Sequence, residues 1–453
     1  MSESGAAGFS PGDESRASRL LDEFLRISGR PASFVVRAPG RVNLLGEHTD
    51  YNGLPVLPMA IDRNVLIAGV PRPGRTVRLF NTVPQFPARN YEMSDAIVPY
   101  APGDWGNYAK AATQGLMRQG TLLSGADLLV DGNIPAGAGL SSSSALVVAS
   151  ALALLAANEV EMPFHTLAEL LPVAERYVGT LSGGMDQATS LLARAGHALR
   201  IDFFPLRLQA VPLPAGYRIV VCHSLVPAEK SGAAQREYNL RVIECRLACR
   251  VLERALGNTL PRNLQTLGDL AAWFPGRPLV DFLPYLTSLV PERPLRLAEI
   301  AAVIGTSSSR LAKQCEITPL IGDAFALVRR VRHVLSEADR VNQAVKALVH
   351  EDAAVLGHLM DSSHWSCRDD YEISCPALEA VINLAREAGA LGARLTGAGF
   401  GGCSVNLVPE PEVPVFLTRL DRSFYAARLP HGERVSDYRF VFTPQPGATV
   451  VRF

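Results

Sequence analysis

Lysine is scarce in this chain of 453 residues: only Lys110, Lys230, Lys313 and Lys346 occur, and arginine supplies the rest of the basic charge. There is no Gly-Lys dipeptide, which excludes a Walker A loop with its phosphate-binding lysine. The protein-kinase signatures HRD and DFG are missing as well. Neither sign of charge is in excess, since 44 Lys and Arg meet 44 Asp and Glu. A net charge of zero gives no electrostatic ground for a nucleic acid or an anionic membrane as partner. The seven cysteines are an odd number and include no CxxC pair. That argues against a zinc site and a disulfide framework, and for reduced thiols in a cytoplasmic protein. The longest apolar run, 145–157, is interrupted by Ser150 and is too short to span a bilayer. The opening MSESGAAGFSPGDES is polar and acidic, the opposite of a signal peptide, and a disordered tail is expected over 1–18.

Against these absences, 48% of the residues are hydrophobic and 19% are charged, enough for sizeable buried cores. The length predicts more than one domain. Helical spacing is read at 16–29, 105–118, 142–158, 166–177, 239–256, 322–350, 377–389 and 412–422. Strands are read at 33–37, ending at Pro39-Gly40, and at 64–70, 76–80, 126–131, 197–202, 217–223 and 438–443. Strands and helices mix without a regular βαβ period, which predicts an α+β protein. The Pro-punctuated stretch 205–215 is the expected boundary, giving units 19–210 and 211–453, the second with a helical insertion at about 258–315.

Four segments carry possible chemistry. In PAGAGLSSSS (135–144), Gly137 and Gly139 free the backbone to approach an anion, and a helix N-terminus follows. Amide groups of 137–144 and the hydroxyls of Ser141, Ser142, Ser143 and Ser144 could hold phosphate or a magnesium ion. A flexible turn with a serine cap is the plainer reading. PGRVNLLGEHTDY (39–51) packs Arg41, Glu47, His48, Asp50 and Tyr51 closely together. Such groups can grip several hydroxyls of a sugar, and Arg41 can hold a carboxylate or a phosphoryl group. A solvated charged loop is the alternative. In GGMDQ (183–187), Asp186 could act as a general base or merely cap a helix. LTGAGFGGC (395–403) reads as a backbone loop against a ligand, or as a glycine-turn hairpin.

Together these segments resemble the GHMP-superfamily sugar kinases, and within them the galactokinase family. GRVNLLGEHTDYNGLPVLPMAID is similar to the galactokinase signature, GNIPAGAGLSSSSALVVASAL to the ATP motif, GGMDQ to the catalytic-aspartate motif and RLTGAGFGGCSVNLV to the third motif. The resemblance runs in family order from about residue 20 to the C-terminus. It implies a two-domain fold, an N-terminal ribosomal-protein-S5-like domain and a C-terminal ferredoxin-like one, with the active site in the cleft. It implies transfer of the γ-phosphoryl of ATP to the anomeric hydroxyl of galactose, with Mg2+. Asp186 would be the base, with Arg41 beside it, holding it ionised and neutralising the transferring phosphoryl. Glu47, His48, Asp50, Gly183 and Tyr238 would bind the sugar. Gly137, Ala138, Gly139, Leu140 and Ser141 to Ser144 would cradle the phosphates, with Trp105 and Tyr108 near the adenine. Ser143 and Glu175 would hold magnesium. Tyr238 favours galactose, because the N-acetylgalactosamine kinase carries phenylalanine there. N-acetylgalactosamine is the next substrate, arabinose and galacturonate follow, and a non-catalytic sensor of galactose and ATP is the remaining alternative. A monomer is expected.

Overall fold

The computed structural model describes residues 9–121, 123–228, 232–257, 264–317 and 324–453. Its first half runs α1 (Pro11–Ser28), β1 (Phe34–Leu45), β2 (Leu57–Arg72), β3 (Thr76–Asn81), β4 (Arg89–Glu92), α2 (Gly106–Arg118), β5 (Gly125–Gly132), α3 (Ser142–Ala157), α4 (Phe164–Glu175), α5 (Met185–Leu192), β6 (His197–Asp202) and β7 (Arg207–Pro212). The second half runs β8 (Tyr217–His223), α6 (Gly232–Leu256), α7 (Leu283–Ser288), α8 (Leu297–Ile304), α9 (Ser308–Cys315), α10 (Leu327–Val349), α11 (Ala353–Asp369), α12 (Pro376–Ala388), β9 (Gly392–Thr396), β10 (Cys403–Pro409), α13 (Val413–Leu420), β11 (Arg439–Phe442) and β12 (Thr449–Arg452). The α+β class expected from patterning is present, as two large sheets and a two-stranded one, β6-β7, with segregated helices. The 264–315 part of the expected insertion holds short helices and turns, and 258–263 lies outside the described residues.

One sheet has six strands in the order β12-β1-β2-β5-β3-β4, in which β3 and β5 run parallel and the other pairs antiparallel. Helix α3 lies on it. Its residues are apolar nearly all round, and only a helix buried on every side can be so. The opposite face is covered by α1, whose Ala17, Leu20 and Phe24 pack on Val35, Leu66, Ala68 and Leu129. The disordered tail expected over 1–18 is therefore wrong from Pro11 onward. Ser10 caps the helix, accepting from Asp13 N at 3.2 Å. The acidic character that reads as a tail includes Asp13, which is buried and ion-paired to Arg37 Nε at 2.8 Å.

The other sheet is antiparallel, in the order β11-β8-β10-β9, with a second core between it and the C-terminal helices. The chain leaves the two-stranded β6-β7 sheet and enters this second large sheet at β8. The expected second unit, 211–453, needs correction at its end. Strand β12 returns to the first sheet, pairing Val451 with Val35.

Strand β1 also departs from expectation, because it does not stop at Pro39-Gly40. It continues to Leu45 through a bulge between Pro39 and Arg41. A bulge tolerates the missing proline donor. Ser190 Oγ donates to the Pro39 carbonyl at 2.8 Å. Gly40 is required there, since a Cβ would meet Leu140 O at 2.7 Å. Arg41 is thus fixed on a strand and not on a solvated loop.

Candidate active site

Every residue from 34 to 50 is buried, so the charged segment is an interior feature. Arg41 Nε donates to Asp186 Oδ1 at 2.7 Å, and Arg41 Nη1 donates to Gly139 O at 2.7 Å. Asp186 sits in the first turn of α5, but the helix has Gly184 at its N-cap and no side-chain cap. The capping reading of Asp186 fails. Its Oδ2 instead accepts a short hydrogen bond from Ser141 Oγ. Ser144 Oγ lies 3.3 Å from the same oxygen and 2.9 Å from Glu175 Oε2. One arginine and two serines therefore join the phosphate-type loop to the candidate base. The positive end of the α5 dipole adds to the stability of the anion.

A small pocket lies beside this pair. Arg41, Glu47, His48, Asp50, Gly183, Asp186 and Tyr238 line it, with Ser182, Met185, Gly397 and Ala398. All the residues expected to bind sugar are brought together there. Asp50 is held by backbone donors, Tyr51 N at 2.9 Å and Met185 N at 3.3 Å. Burial, reinforced by the Asp186 charge, raises its carboxyl pKa to about 6. Gly183 presses on this carboxylate: a Cβ there would lie 2.1 Å from Asp50 Oδ2. Glu47 accepts from Asn43 Nδ2 at 2.8 Å and from Gly397 N at 2.7 Å. Burial raises its pKa, against the opposing pull of Arg394 and Arg41. The glycine-rich 397–402 loop follows strand β9 and packs on the 137–141 loop. A Cβ on Gly397 would meet Gly139 O at 2.6 Å. The loop is both the hairpin connection and part of the cavity wall.

A larger cleft of about 480 Å³ opens on the other side of the serine loop. Trp105 and Tyr108 line one end, and Gly137, Gly139, Leu140, Ser141, Ser142 and Ser143 the other. Trp105 is held by its Nε1 donating to Pro87 O at 3.0 Å. Two members of the expected ATP set do not line this cleft. Ala138 is buried with its carbonyl against Gly402, and Ser144 lies beneath the loop on Glu175. Ser144, and not Ser143, makes the contact with Glu175. These hard oxygen donors at a helix N-terminus fit a divalent cation carried in on a nucleotide, which needs only one or two protein ligands. Among the described residues no group of three or more His, Cys, Asp or Glu is arranged to hold a metal by itself.

Sequence reasoning missed a supporting layer supplied by the C-terminal helices. Glu337 on α10 accepts from Gly46 N at 2.8 Å, Ser363 Oγ at 2.6 Å and Arg340 Nε at 2.6 Å. Burial alone would raise its pKa, but Arg340 and Arg394 together hold it well below the usual carboxylate range. His333, also on α10, is buried with both ring nitrogens satisfied: it bonds Ser366 Oγ at 2.9 Å and Glu47 O at 3.0 Å. Arg394 Nη1 donates to Asn43 O at 3.0 Å. Asn81, Val83 and Phe86 in the cleft were also unflagged, since strand-end residues of these types give no signal.

Residues 22–71 match the galactokinase galactose-binding signature, 107–194 the GHMP kinases N terminal domain and 344–426 the GHMP kinases C terminal. A galactokinase of Dictyostelium discoideum is 35% identical, over 97% of this chain and 94% of its own length. The chain belongs to the galactokinase family. A second galactokinase, from Chloroflexus aggregans, is 38% identical over 89% of this chain and 91% of its own. The crystal structure of Lactococcus lactis galactokinase complexed with galactose superposes with a TM-score of 0.77 at 27% identity, covering 96% of this chain and 99% of that one. The α+β arrangement is that of the GHMP kinases, and the protein is a sugar kinase with ATP as co-substrate.

Proposed function

We propose that the protein transfers the γ-phosphoryl group of ATP to the anomeric hydroxyl of galactose, giving galactose 1-phosphate and ADP. The observation that carries this reading is the Arg41–Asp186 pair, which stands where the small polar cavity meets the serine loop of the nucleotide cleft. Phosphoryl transfer is mostly positioning and charge stabilisation, and the pair supplies both. Asp186 aligns the sugar hydroxyl and receives its proton. Arg41 keeps Asp186 in place and offers positive charge to the transferring group. Asp50, Glu47, His48 and Tyr238 hold the other hydroxyls. Gly137 to Ser143 cradle the phosphates with backbone amides, hydroxyls and the α3 N-terminus, which replaces a P-loop lysine. Ser143, Ser144 and Glu175 are the residues that would hold Mg2+, which would neutralise phosphate charge.

No helix among the described residues is long and apolar enough to cross a membrane. All seven cysteines are free, which suits a reducing, cytoplasmic setting. The test is ADP release with ATP and Mg2+, offering galactose and N-acetylgalactosamine in parallel, with Asp186→Asn as control. Release with galactose that is lost in the variant is expected. Preference for N-acetylgalactosamine would move the substrate, and sugar binding without release would leave a sensor.

A further inference from the structure

His48 occupies a left-handed backbone conformation, φ 61°, at the wall of the sugar cavity. Its Nε2 lies 3.3 Å from the carbonyl oxygen of Ala398, and its Nδ1 lies 2.8 Å from the Tyr51 hydroxyl. The Tyr51 hydroxyl in turn meets the Tyr371 hydroxyl at 2.7 Å, and the Tyr371 hydroxyl meets Cys245 Sγ at 3.2 Å. Asn52 Nδ2 donates to Cys245 Sγ at 3.6 Å and to the carbonyl of His48 itself at 2.9 Å. The chain of contacts leaves the His48 backbone and returns to the His48 ring.

The middle members can each donate or accept, but the two ends cannot. A carbonyl oxygen only accepts, so Ala398 requires a proton on His48 Nε2. The Asn52 amide is oriented by the His48 carbonyl, so it presents N–H to Cys245 and leaves the thiol free to donate onward. Burial, with help from His333, depresses the His48 pKa to about 3, so the ring is neutral and Nδ1 is a pure acceptor at neutral pH. Tyr51 then donates to Nδ1, Tyr371 donates to Tyr51, and Cys245 donates to Tyr371. The opposite polarity would set the Nε2 lone pair against the Ala398 oxygen.

We propose that Tyr51, Tyr371 and Cys245 form a one-way hydrogen-bond chain that locks His48 as the Nε2–H tautomer, with its proton on the Ala398 carbonyl, and so fixes the ring as a wall of the sugar cavity. Tyr51 is then a positioning residue for the His48 ring. The proposal rests on the sugar-binding reading of the cavity, and it names what holds one wall of that cavity in place.

The test has a spectroscopic arm and a kinetic arm, both on the full chain. Long-range 1H–15N correlation spectra of histidine-labelled protein at pH 7, with His48 assigned through His48→Gln, should show Nε2 protonated. A proton on Nδ1 would overturn the chain. In Tyr51→Phe the signal should move toward mixed tautomers, and KM for galactose should rise roughly fivefold to tenfold, the worth of one hydrogen bond, with kcat nearly unchanged. A fall in kcat at constant KM would overturn the positioning role. Cys245→Ala should weaken the effect to a smaller KM rise and Cys245→Ser should restore it. That rescue also guards against a Tyr51→Phe protein that fails to fold. Nε2–H in a protein that does not phosphorylate galactose would sink the substrate reading and leave the tautomer chain standing. Galactose turnover with Nδ1–H would do the reverse.

Discussion

Arg41 Nε stands 2.7 Å from Asp186 Oδ1, a contact that joins β1 to the first turn of α5 across 145 positions of the chain. The same guanidinium reaches the Gly139 carbonyl at 2.7 Å. One side chain thereby fixes the separation of the candidate base from the phosphate loop. Its planar fork matters as much as its charge.

Arg41→Lys should keep the positive charge and lose the double grip. A lysine cannot hold Asp186 and Gly139 together in that geometry. A drop in kcat on the order of 10²–10³ is expected, as for loss of a single oriented donor at a transferring group. KM for galactose should change much less. Steady-state kinetics at saturating ATP reads this, and a variant with near-normal kcat would remove Arg41 from the chemistry.

Gly183→Ala should damage sugar binding through Asp50. The new Cβ would fall 2.1 Å from Asp50 Oδ2 and 2.2 Å from its Cγ, so the carboxylate must move. Overpacking of this kind costs about 1–3 kcal/mol. A higher KM for galactose, with KM for ATP unchanged, is the expected signature, together with a lower unfolding midpoint in urea. Unchanged galactose KM would show that Asp50 is not a sugar ligand.

Asp50 also sets a pH dependence. Its pKa is raised from 3.8 to about 6 by burial and by the neighbouring Asp186 charge. The folded state therefore binds more protons than the unfolded state between those values. The contribution of this group to stability is fully present below pH 3.8 and is lost as pH rises through about 6. Urea titrations of wild type and Asp50→Asn across pH 4–7 should differ in slope over that window, the wild type losing stability faster with rising pH. Sugar binding runs the other way, because the ionised carboxylate is the stronger acceptor. KM for galactose should climb as pH falls below 6. A flat KM over pH 5–7 would contradict the raised pKa.

The site was legible in sequence wherever a local pattern produces it. The glycines and serines of 137–144 precede an all-apolar stretch, which can only be a buried helix, so the loop and the α3 N-terminus follow together. Pro39-Gly40 misled, because a proline-glycine pair stops most strands and the bulge that tolerates it depends on the Leu140 carbonyl, 100 residues away. Asp13 misled for a similar reason: its partner Arg37 lies on another element, so a capped helix reads as an acidic tail. Glu337 gave no signal at all. In LSEADR it has the look of a solvated helix face, and only tertiary packing turns it inward to Gly46.

Glu337 supplies the last prediction. It is fully buried and accepts from Gly46 N at 2.8 Å, Ser363 Oγ at 2.6 Å and Arg340 Nε at 2.6 Å. The Gly46–His48 turn, which carries two of the residues proposed to bind the sugar, therefore hangs on a carboxylate from α10. Its pKa is depressed below the ordinary 4.5 despite burial, by Arg340 and Arg394. Its stabilisation is thus present above pH 4.5 and is lost only as pH falls below that. Glu337→Ala strips the acceptor from a buried amide, a hydroxyl and a guanidinium at once, and breaking a buried charge pair alone costs about 3–5 kcal/mol. Glu337→Gln keeps an acceptor oxygen for the Gly46 amide and should lose less. In both variants KM for galactose should rise ahead of KM for ATP, because the nucleotide cleft does not touch α10. Equal rises in the two constants, scaling with the loss of unfolding free energy, would reduce Glu337 to a general prop of the fold.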